Sequence, residues 1–133
     1  MTTKTAWAHL PNAQHIDAVL ADARKRPGAW DAAQRAAWRA ARDAARDAAR
    51  DAARDAAWDA AWGAARDAAR DAVWDAAWAA VWAALAALIA WDSSADLLEC
   101  TPDVLRPMID LAEPPVCHQA VLLLPYAIVR MHA

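Results

Sequence analysis

The residues that are rare in this chain exclude several kinds of site. The chain contains no phenylalanine and only two glycines, Gly28 and Gly63, so it has no glycine-rich loop that would cradle a phosphate. Its two cysteines, Cys100 and Cys117, form no Cys-x-x-Cys pair, which excludes a disulfide framework and a zinc ribbon. We therefore expect two reduced thiols in a cytoplasmic protein.

An excess of positive charge and a long apolar run are also missing. The formal net charge is -3, so we expect no attraction to nucleic acid or to an anionic membrane. The longest uncharged run, residues 76–91, is shorter than the roughly 20 residues of a membrane-spanning helix. The opening "MTTKTAWAHLPNAQH" contains no apolar segment typical of a secretion signal. Membrane association through 76–91 is the minor alternative to a buried helix.

The main feature of the sequence is a four-residue repeat, written "ARDAARDAARDAARDAAWDAAW" at residues 41–62. Alanine fills the middle places, aspartate the first place, and arginine or tryptophan the fourth. Alanine is the best helix former, and Asp–Arg pairs at i,i+3 stabilise a helix surface by about 0.2–0.5 kcal/mol. The pattern therefore predicts one continuous helix over about 29–91. A break at Gly63, which gives two antiparallel helices, is the alternative.

A period of four does not keep a residue type on one face of a helix. Each residue advances by about 100°, so each column of the repeat drifts by about 40° per tetrad and circles the helix in about 54 Å. A coiled coil has a pitch of about 150 Å and cannot follow this drift. The repeat thus predicts a helix that is contacted on several sides, and self-association in an oligomeric helical assembly is its natural use.

The flanking segments predict further helices and no strands, so the predicted fold class is all-α. Residues 1–28 should form an N-terminal helix and turn, with Asn12 as the N-cap. Residues 92–133 should form a C-terminal helical cap whose apolar run at 121–129 packs on the repeat helix. We expect the two flanking segments and the repeat helix 29–91 to form a single structural domain.

The irregularly placed tryptophans predict two contact surfaces. One set recurs at ordinary helical spacing and predicts internal packing: Trp74, Trp78, Val81, Trp82, Leu85, Leu88 and Ile89. The other set lies earlier in the repeat and predicts an oligomer interface: Trp30, Trp38, Trp58 and Trp62. Because bulky side chains fit only their own holes, these tryptophans would select one register among otherwise equivalent ones.

Catalytic and metal-binding patterns are not found in the sequence. The tetrad aspartates have arginine neighbours, so a solvated, salt-bridged face is expected rather than a pair of catalytic acids. No His-x-x-x-His or Glu-x-x-His ligand pair is present. Cys117 and His118 would point about 100° apart on a helix, as a core thiol and a surface imidazole. We expect a protein that is not an enzyme and that has no cofactor and no metal.

Arginine beside tryptophan is the one combination that indicates a ligand. Indole rings stack on bases and guanidinium groups bind phosphate, so a pocket between copies of the helix would suit a nucleotide or another small anion. The candidate ligand-binding residues are Arg66, Arg70, Trp62 and Trp74. The structural alternative is that tryptophan packs between helices and arginine pairs with aspartate.

The tetrads and the tail "SADLLECTPDVLRPMIDL…AVLLLPYAIV" together resemble a family of uncharacterised small proteins from bacteria and their phages. The resemblance implies a cytoplasmic accessory protein and assigns no functional residue. The sequence as a whole predicts a self-associating helical protein with a structural or interaction role. The alternative is a binder that sequesters a small anionic ligand in a pocket lined by tryptophan and arginine within an oligomer.

Overall fold

The computed structural model describes residues 6–56, 59–73 and 75–131, which fold as a bundle of helices. The helices are α1 (Ala13–Lys25), α2 (Pro27–Trp38), α3 (Arg42–Ala56), α4 (Ala60–Ala72), α5 (Asp75–Ala90), α6 (Pro102–Leu111) and α7 (Val116–Met131), with a short 3₁₀ helix at Asp92–Leu97. No strand occurs within these ranges. The predicted all-α fold class is confirmed.

The prediction of one continuous helix over 29–91 is wrong, because the repeat forms four helices, α2 to α5, of 12 to 16 residues each. Asp59, before α4, has an extended backbone, and its Oδ1 accepts a hydrogen bond from the Ala61 amide at 2.9 Å. Val73, after α4, is also extended. The alternative break at Gly63 is wrong as well, since Gly63 lies inside α4.

The four-residue period gives a physical reason for short helices. Over roughly three to four tetrads a column drifts by only about 120–160°, so a short helix keeps one alanine face turned inward. The buried alanines are Ala45, Ala48, Ala52 and Ala56 on α3, and Ala61, Ala65 and Ala69 on α4. Each break lets the next helix turn its own alanines toward the core. A single long helix would carry the same alanines out into solvent.

The most apolar of the four repeat helices, α5, lies at the centre of the bundle. Residues 83–89 are all buried, and α5 packs against α1, α2, α3, α4 and α7. No charged residue occurs between positions 76 and 91, so this part of the helix can pack against other helices on every side. The C-terminal helix α7 packs on α5 and also on α2, α3 and α6.

The buried side chain of Asn12 joins the start of α1 to the end of α5. Asn12 is the N-cap residue of α1, as predicted, but its side chain makes no capping hydrogen bond there. Its Nδ2 instead donates to the carbonyl oxygens of Leu88 at 3.0 Å and Asp92 at 3.1 Å. Carbonyls at a helix C-terminus lack partners within the helix, and Asn12 supplies one from outside.

Candidate anion-binding cleft

A cleft of about 650 Å³ lies between α2 and α3, over a floor formed by α5 and Leu122 of α7. Four arginines line its walls: Arg35, Arg39, Arg42 and Arg46. Three tryptophans line the same space: Trp38, Trp78 and Trp82. Small side chains, among them Ala83 and Ala86, line the floor beside the indole rings. The cleft therefore combines positive walls with an aromatic and apolar base.

Helical spacing brings the four arginines to one place. Arg35 and Arg39 are four residues apart at the end of α2, and Arg42 and Arg46 are four residues apart at the start of α3. Residues at i and i+4 share a helix face. Only Ala40 and Ala41 separate Arg39 from Arg42 along the chain. Each wall thus presents two guanidinium groups.

Two long-range hydrogen bonds fix the α2 wall. The Nε1 of Trp38 donates to the carbonyl oxygen of Val121 on α7 at 2.9 Å. The Oε1 of Gln34 accepts from the backbone amide of Ala80 on α5 at 3.0 Å. The first bond joins residues 83 positions apart in the sequence and the second joins residues 46 apart. The position of the wall therefore depends on the whole bundle.

The positive charge in the cleft is only partly compensated. Arg35 pairs with Asp31 at 2.9 Å. Among the carboxylates whose side chains the structure describes, a set that leaves out Asp75, none lies within 4.0 Å of Arg39, Arg42 or Arg46. The expected Asp–Arg pairing within tetrads occurs further along α3, where Arg50 lies 3.9 Å from Asp47.

Local helix electrostatics also disfavour this arrangement of arginines. Arg42 is the first residue of α3 and Arg46 lies one turn later, near the positive end of the helix dipole. A cation in the first turn costs about 0.3–1 kcal/mol, although Asp43 in the same turn acts in the opposite direction. Arg39 and Arg42 also line a smaller depression beside the 39–41 turn, together with Asp43 and Asp110. The arginines therefore point to an anionic ligand more than to helix stability.

The aromatic floor continues into the predicted ligand-binding residues on α4. The ring centroids of Trp78 and Trp82 lie 6.3 Å apart with planes inclined by 13°, and Trp62 meets Trp82 edge-on at 4.6 Å. The guanidinium carbons of Arg66 and Arg70 lie 5.7 and 5.4 Å from the Trp78 ring centroid, within cation–π range. Arg66, Arg70 and Trp62 are thus brought together around Trp78, but they do not line the cleft.

Ring contacts, and not a hydrogen bond, hold Trp78 in place. Its Nε1 is buried and has no hydrogen-bond acceptor among the described residues. A buried donor without a partner costs about 1–3 kcal/mol. The stacking on Trp82 and the two arginines above the ring offset this cost.

The predicted interface tryptophans lie in different environments. Trp30 is completely buried within the single chain, and its Nε1 donates to Oδ2 of Asp22 at 2.8 Å. It is therefore a core residue of this chain and has no surface to offer to a second copy. Trp38 and Trp62 are half-buried against the core. Trp58 lies outside the described residues.

The residues assigned to internal packing divide into two groups. Val81, Leu85, Leu88 and Ile89 are buried in α5. Trp78 and Trp82 are half-buried, since one side of each ring borders the cleft. Trp74 lies outside the described residues.

The sequence contains a feature that distinguishes the cleft arginines from the other arginines of the repeat. In the tetrads beginning at Arg35 and Arg39, arginine occupies the first place, which holds aspartate in most tetrads up to residue 75. The stretch from Arg35 to Arg42 therefore contains three arginines and no acid. This local excess of positive charge coincides with the cleft, whereas the arginines nearest to tryptophan in the later tetrads are Arg66 and Arg70.

A histidine–aspartate pair that the sequence did not predict joins α7 to α3. The Nδ1 of His118 lies 2.7 Å from Oδ2 of Asp51, which Arg54 also contacts. The Trp91 ring lies 6.5 Å from the imidazole. His118 and Asp51 are 67 residues apart, so no local pattern revealed the pair. In the described ranges no group of three or more His, Cys, Asp or Glu is placed to hold a metal ion.

Tyr126 is the one residue with a clearly shifted pKa in the described part of the chain. Burial raises the pKa of its hydroxyl, and the positive charge of Arg130 acts in the opposite direction. Its ring lies 5.9 Å from that of Trp30. Tyr126 does not line the cleft, so its titration belongs to the core and not to the candidate site.

No family model, curated protein or solved structure matches the chain. Of the helices within the described ranges, none combines the length and the apolar character needed to cross a bilayer. The function must therefore be argued from the cleft and the surface of the molecule.

Proposed function

We propose that the protein binds a small anionic ligand with a planar aromatic group, such as a nucleotide, in the cleft between α2 and α3. The observation that carries the proposal is that the described residues lining the cleft include four arginines and three tryptophans but no carboxylate. Guanidinium groups bind phosphate through paired hydrogen bonds, and indole rings stack on bases. One ligand with both features would use the walls and the floor together.

The size and composition of the cleft fit a ligand of this kind. Pockets for small molecules are typically about 300–1,000 Å³ and mostly apolar, with a few polar groups that fix orientation. The cleft, at about 650 Å³, has an apolar floor that includes Leu122 and Ala86. All of these residues belong to one chain. The proposal keeps the tryptophan–arginine chemistry expected from the sequence but moves it from an oligomer pocket to a cleft within the monomer.

A purely structural role explains the position of some of these residues but not of the arginines. Packing explains Trp38, which is bonded to α7. It does not explain why Arg39, Arg42 and Arg46 converge on one aromatic cleft while no described carboxylate lies within 4.0 Å of them. An anionic ligand would supply the missing negative charge.

Isothermal titration calorimetry with the four ribonucleoside 5′-monophosphates, the matching nucleosides and inorganic phosphate tests the proposal. At least one monophosphate should bind more tightly than its nucleoside or phosphate alone, because only the whole molecule reaches both walls and floor. Arg42→Gln should weaken binding about tenfold or more, since a hydrogen bond to a charged group contributes about 1.5–3 kcal/mol.

Arg50→Gln is the matched control, because Arg50 lies two turns further along α3, is 82% exposed and does not line the cleft. It should bind the ligand as the wild type does. If no monophosphate binds the wild-type protein, or if Arg50→Gln weakens binding as much as Arg42→Gln, the cleft is not a nucleotide site.

We also propose that the protein self-associates, and the observation in favour lies on α6 and not on the tetrad helices. Leu111 is 82% exposed and Val104 is 46% exposed, and the spacing i,i+7 places them on one face of the helix. Arg106 lies between Asp103 and Asp110 on the same exposed helix. An isologous contact across a two-fold axis uses the same patch on both copies, so the two exposed apolar side chains of one copy would cover those of the other.

A further inference from the structure

We propose that the cleft selects a ligand with two phosphate groups separated by a sugar, as in a nucleoside 3′,5′-bisphosphate or a dinucleotide. Such a ligand should bind more tightly than one with a single phosphate or with a contiguous diphosphate. This inference rests on the proposed function and adds to it the number and the spacing of the anionic groups.

The four arginines form two pairs, each with one member on either wall. Arg39 and Arg42 flank the turn and form the inner pair. Arg35 and Arg46 are each four residues further from the turn and form the outer pair. Four residues of helix rise by about 6 Å, so the two pairs stand about one helical turn apart. The cleft thus offers two positions for an anion.

The spacing of the pairs distinguishes between ligands with the same number of phosphates. In a diphosphate the two phosphorus atoms share one bridging oxygen, so both groups crowd onto one arginine pair. In a 3′,5′-bisphosphate the ribose separates the groups, and each can reach its own pair. The base can then contact the edge of the aromatic floor that Trp78 and Trp82 line between the walls.

The charge balance of the cleft also favours two phosphates. A phosphate monoester carries about -1.5 to -2 charges at pH 7, which is too little to neutralise four guanidinium groups. Of these groups, Arg35 already has a partner in Asp31. The inner pair, which has no described carboxylate within 4.0 Å, is therefore the stronger position, and the outer pair adds a second, weaker one.

The same lining disfavours a polyphosphate that carries Mg²⁺. Magnesium at nucleotide sites is held by protein carboxylates or hydroxyls together with phosphate oxygens. The residues that line the cleft in the described ranges, side chains of 75 and 76 aside, include neither a carboxylate nor a hydroxyl side chain. The arginines would neutralise the phosphates directly, so binding should not require a divalent cation.

Calorimetry with AMP, ADP and adenosine 3′,5′-bisphosphate, at one ionic strength and in the presence of EDTA, tests the inference. ADP and the bisphosphate are isomers, so the comparison varies the position of the second phosphate and not the composition. The bisphosphate should bind about tenfold more tightly than ADP, because it alone makes charged hydrogen bonds with both pairs. ADP should bind within a few-fold of AMP.

Two variants separate the arginine pairs. Arg46→Gln, in the outer pair, should lower the affinity for the bisphosphate to that of AMP while leaving AMP binding unchanged. Arg42→Gln, in the inner pair, should weaken both ligands. Arg50→Gln is again the control and should change neither, and circular dichroism of each variant shows that the helices are intact.

The outcomes separate this inference from the proposed function. If AMP binds but the bisphosphate binds no more tightly than ADP, the two-phosphate spacing is wrong and the cleft remains a mononucleotide site. If Arg46→Gln weakens AMP as much as the bisphosphate, the assignment of separate pairs is also wrong. If none of the three ligands binds the wild type, the inference fails together with adenine nucleotide binding.

Discussion

Individual substitutions within the repeat determine the chemistry of the surface. An aspartate in the first place of a tetrad balances the arginine beside it, as Asp51 and Arg54 show on α3. Arginine in that place, at Arg35 and Arg39, leaves positive charge that the described carboxylates compensate only through Asp31. A repeat that is almost neutral over its length therefore contains one electropositive cleft. Two changed residues are enough to produce it because each tetrad carries so little charge.

Asn12 is the single polar residue whose loss should most weaken the contact between α1 and α5. It is 3% exposed, and its Nδ2 donates to the carbonyls of Leu88 and Asp92. Asn12→Ala leaves these carbonyls without that donor. The free energy of unfolding should fall by about 1–3 kcal/mol, the cost of unsatisfied buried polar groups. Urea denaturation followed by circular dichroism measures the change.

Gln14→Ala is the control for Asn12→Ala. Gln14 is exposed, so its loss should change the free energy of unfolding by less than about 0.5 kcal/mol. Equal effects of the two substitutions would show that Asn12 does not cap α5.

The sequence predicts that the repeat is helical, but it does not predict where each helix begins and ends. The helical state of the repeat is predictable, because alanine propensity and Asp–Arg spacing act within a few residues. The breaks at 39–41 and at Asp59 cannot be predicted in this way, since neither contains glycine or proline. They depend on burying the alanine faces of α3 and α4 against a central helix, which is a property of the whole chain.

The sequence predicts the chemistry of the cleft but not its location. Its chemistry, tryptophan beside arginine, follows from the residue types. Its location depends on hydrogen bonds such as Trp38 to Val121, between residues 83 positions apart. No periodicity in a single sequence reports such a pair, so the sequence indicated Arg66 and Arg70 and missed Arg42 and Arg46.

Gly63→Ala tests whether α4 is continuous through Gly63. The glycine lies inside the helix, its φ is not positive, and a Cβ added there meets nothing within 4 Å. The substitution should raise the free energy of unfolding by about 0.5–1 kcal/mol, because alanine loses less backbone entropy than glycine on helix formation. Thermal and urea denaturation measure the gain.

Gly28→Ala provides the comparison for Gly63→Ala, since a Cβ there also meets nothing within 4 Å but the residue lies in the first turn of α2. Its gain should be smaller, because fewer helical hydrogen bonds depend on the first turn. A loss of stability for Gly63→Ala would instead indicate a break at Gly63 with a backbone that disfavours a side chain.

Within the part of the chain that the structure describes, α5 is enclosed by other helices, and two of the surfaces left uncovered concern binding. One is the electropositive cleft and the other is the apolar stripe on α6 with Val104 and Leu111. The alanine faces that seemed suited to join several chains are used to join the helices of one chain. If copies of the protein assemble, the contact should therefore form on α6, and each copy should keep its own complete cleft.

Light scattering of the wild type and of Leu111→Asp tests whether copies of the protein assemble through α6. Ligand binding by the same variant tests whether each copy keeps a complete cleft. The wild-type molar mass should rise above the 14.4 kDa of the chain with increasing concentration, and Leu111→Asp should hold it at 14.4 kDa because a charge replaces the more exposed of the two apolar side chains in the stripe. Met131→Asp is the control, since Met131 is 64% exposed but lies on α7, and it should assemble as the wild type does. A mass of 14.4 kDa at every wild-type concentration would exclude self-association. Leu111→Asp should still bind the nucleotide with wild-type affinity, whereas loss of binding with loss of mass would place the ligand between chains.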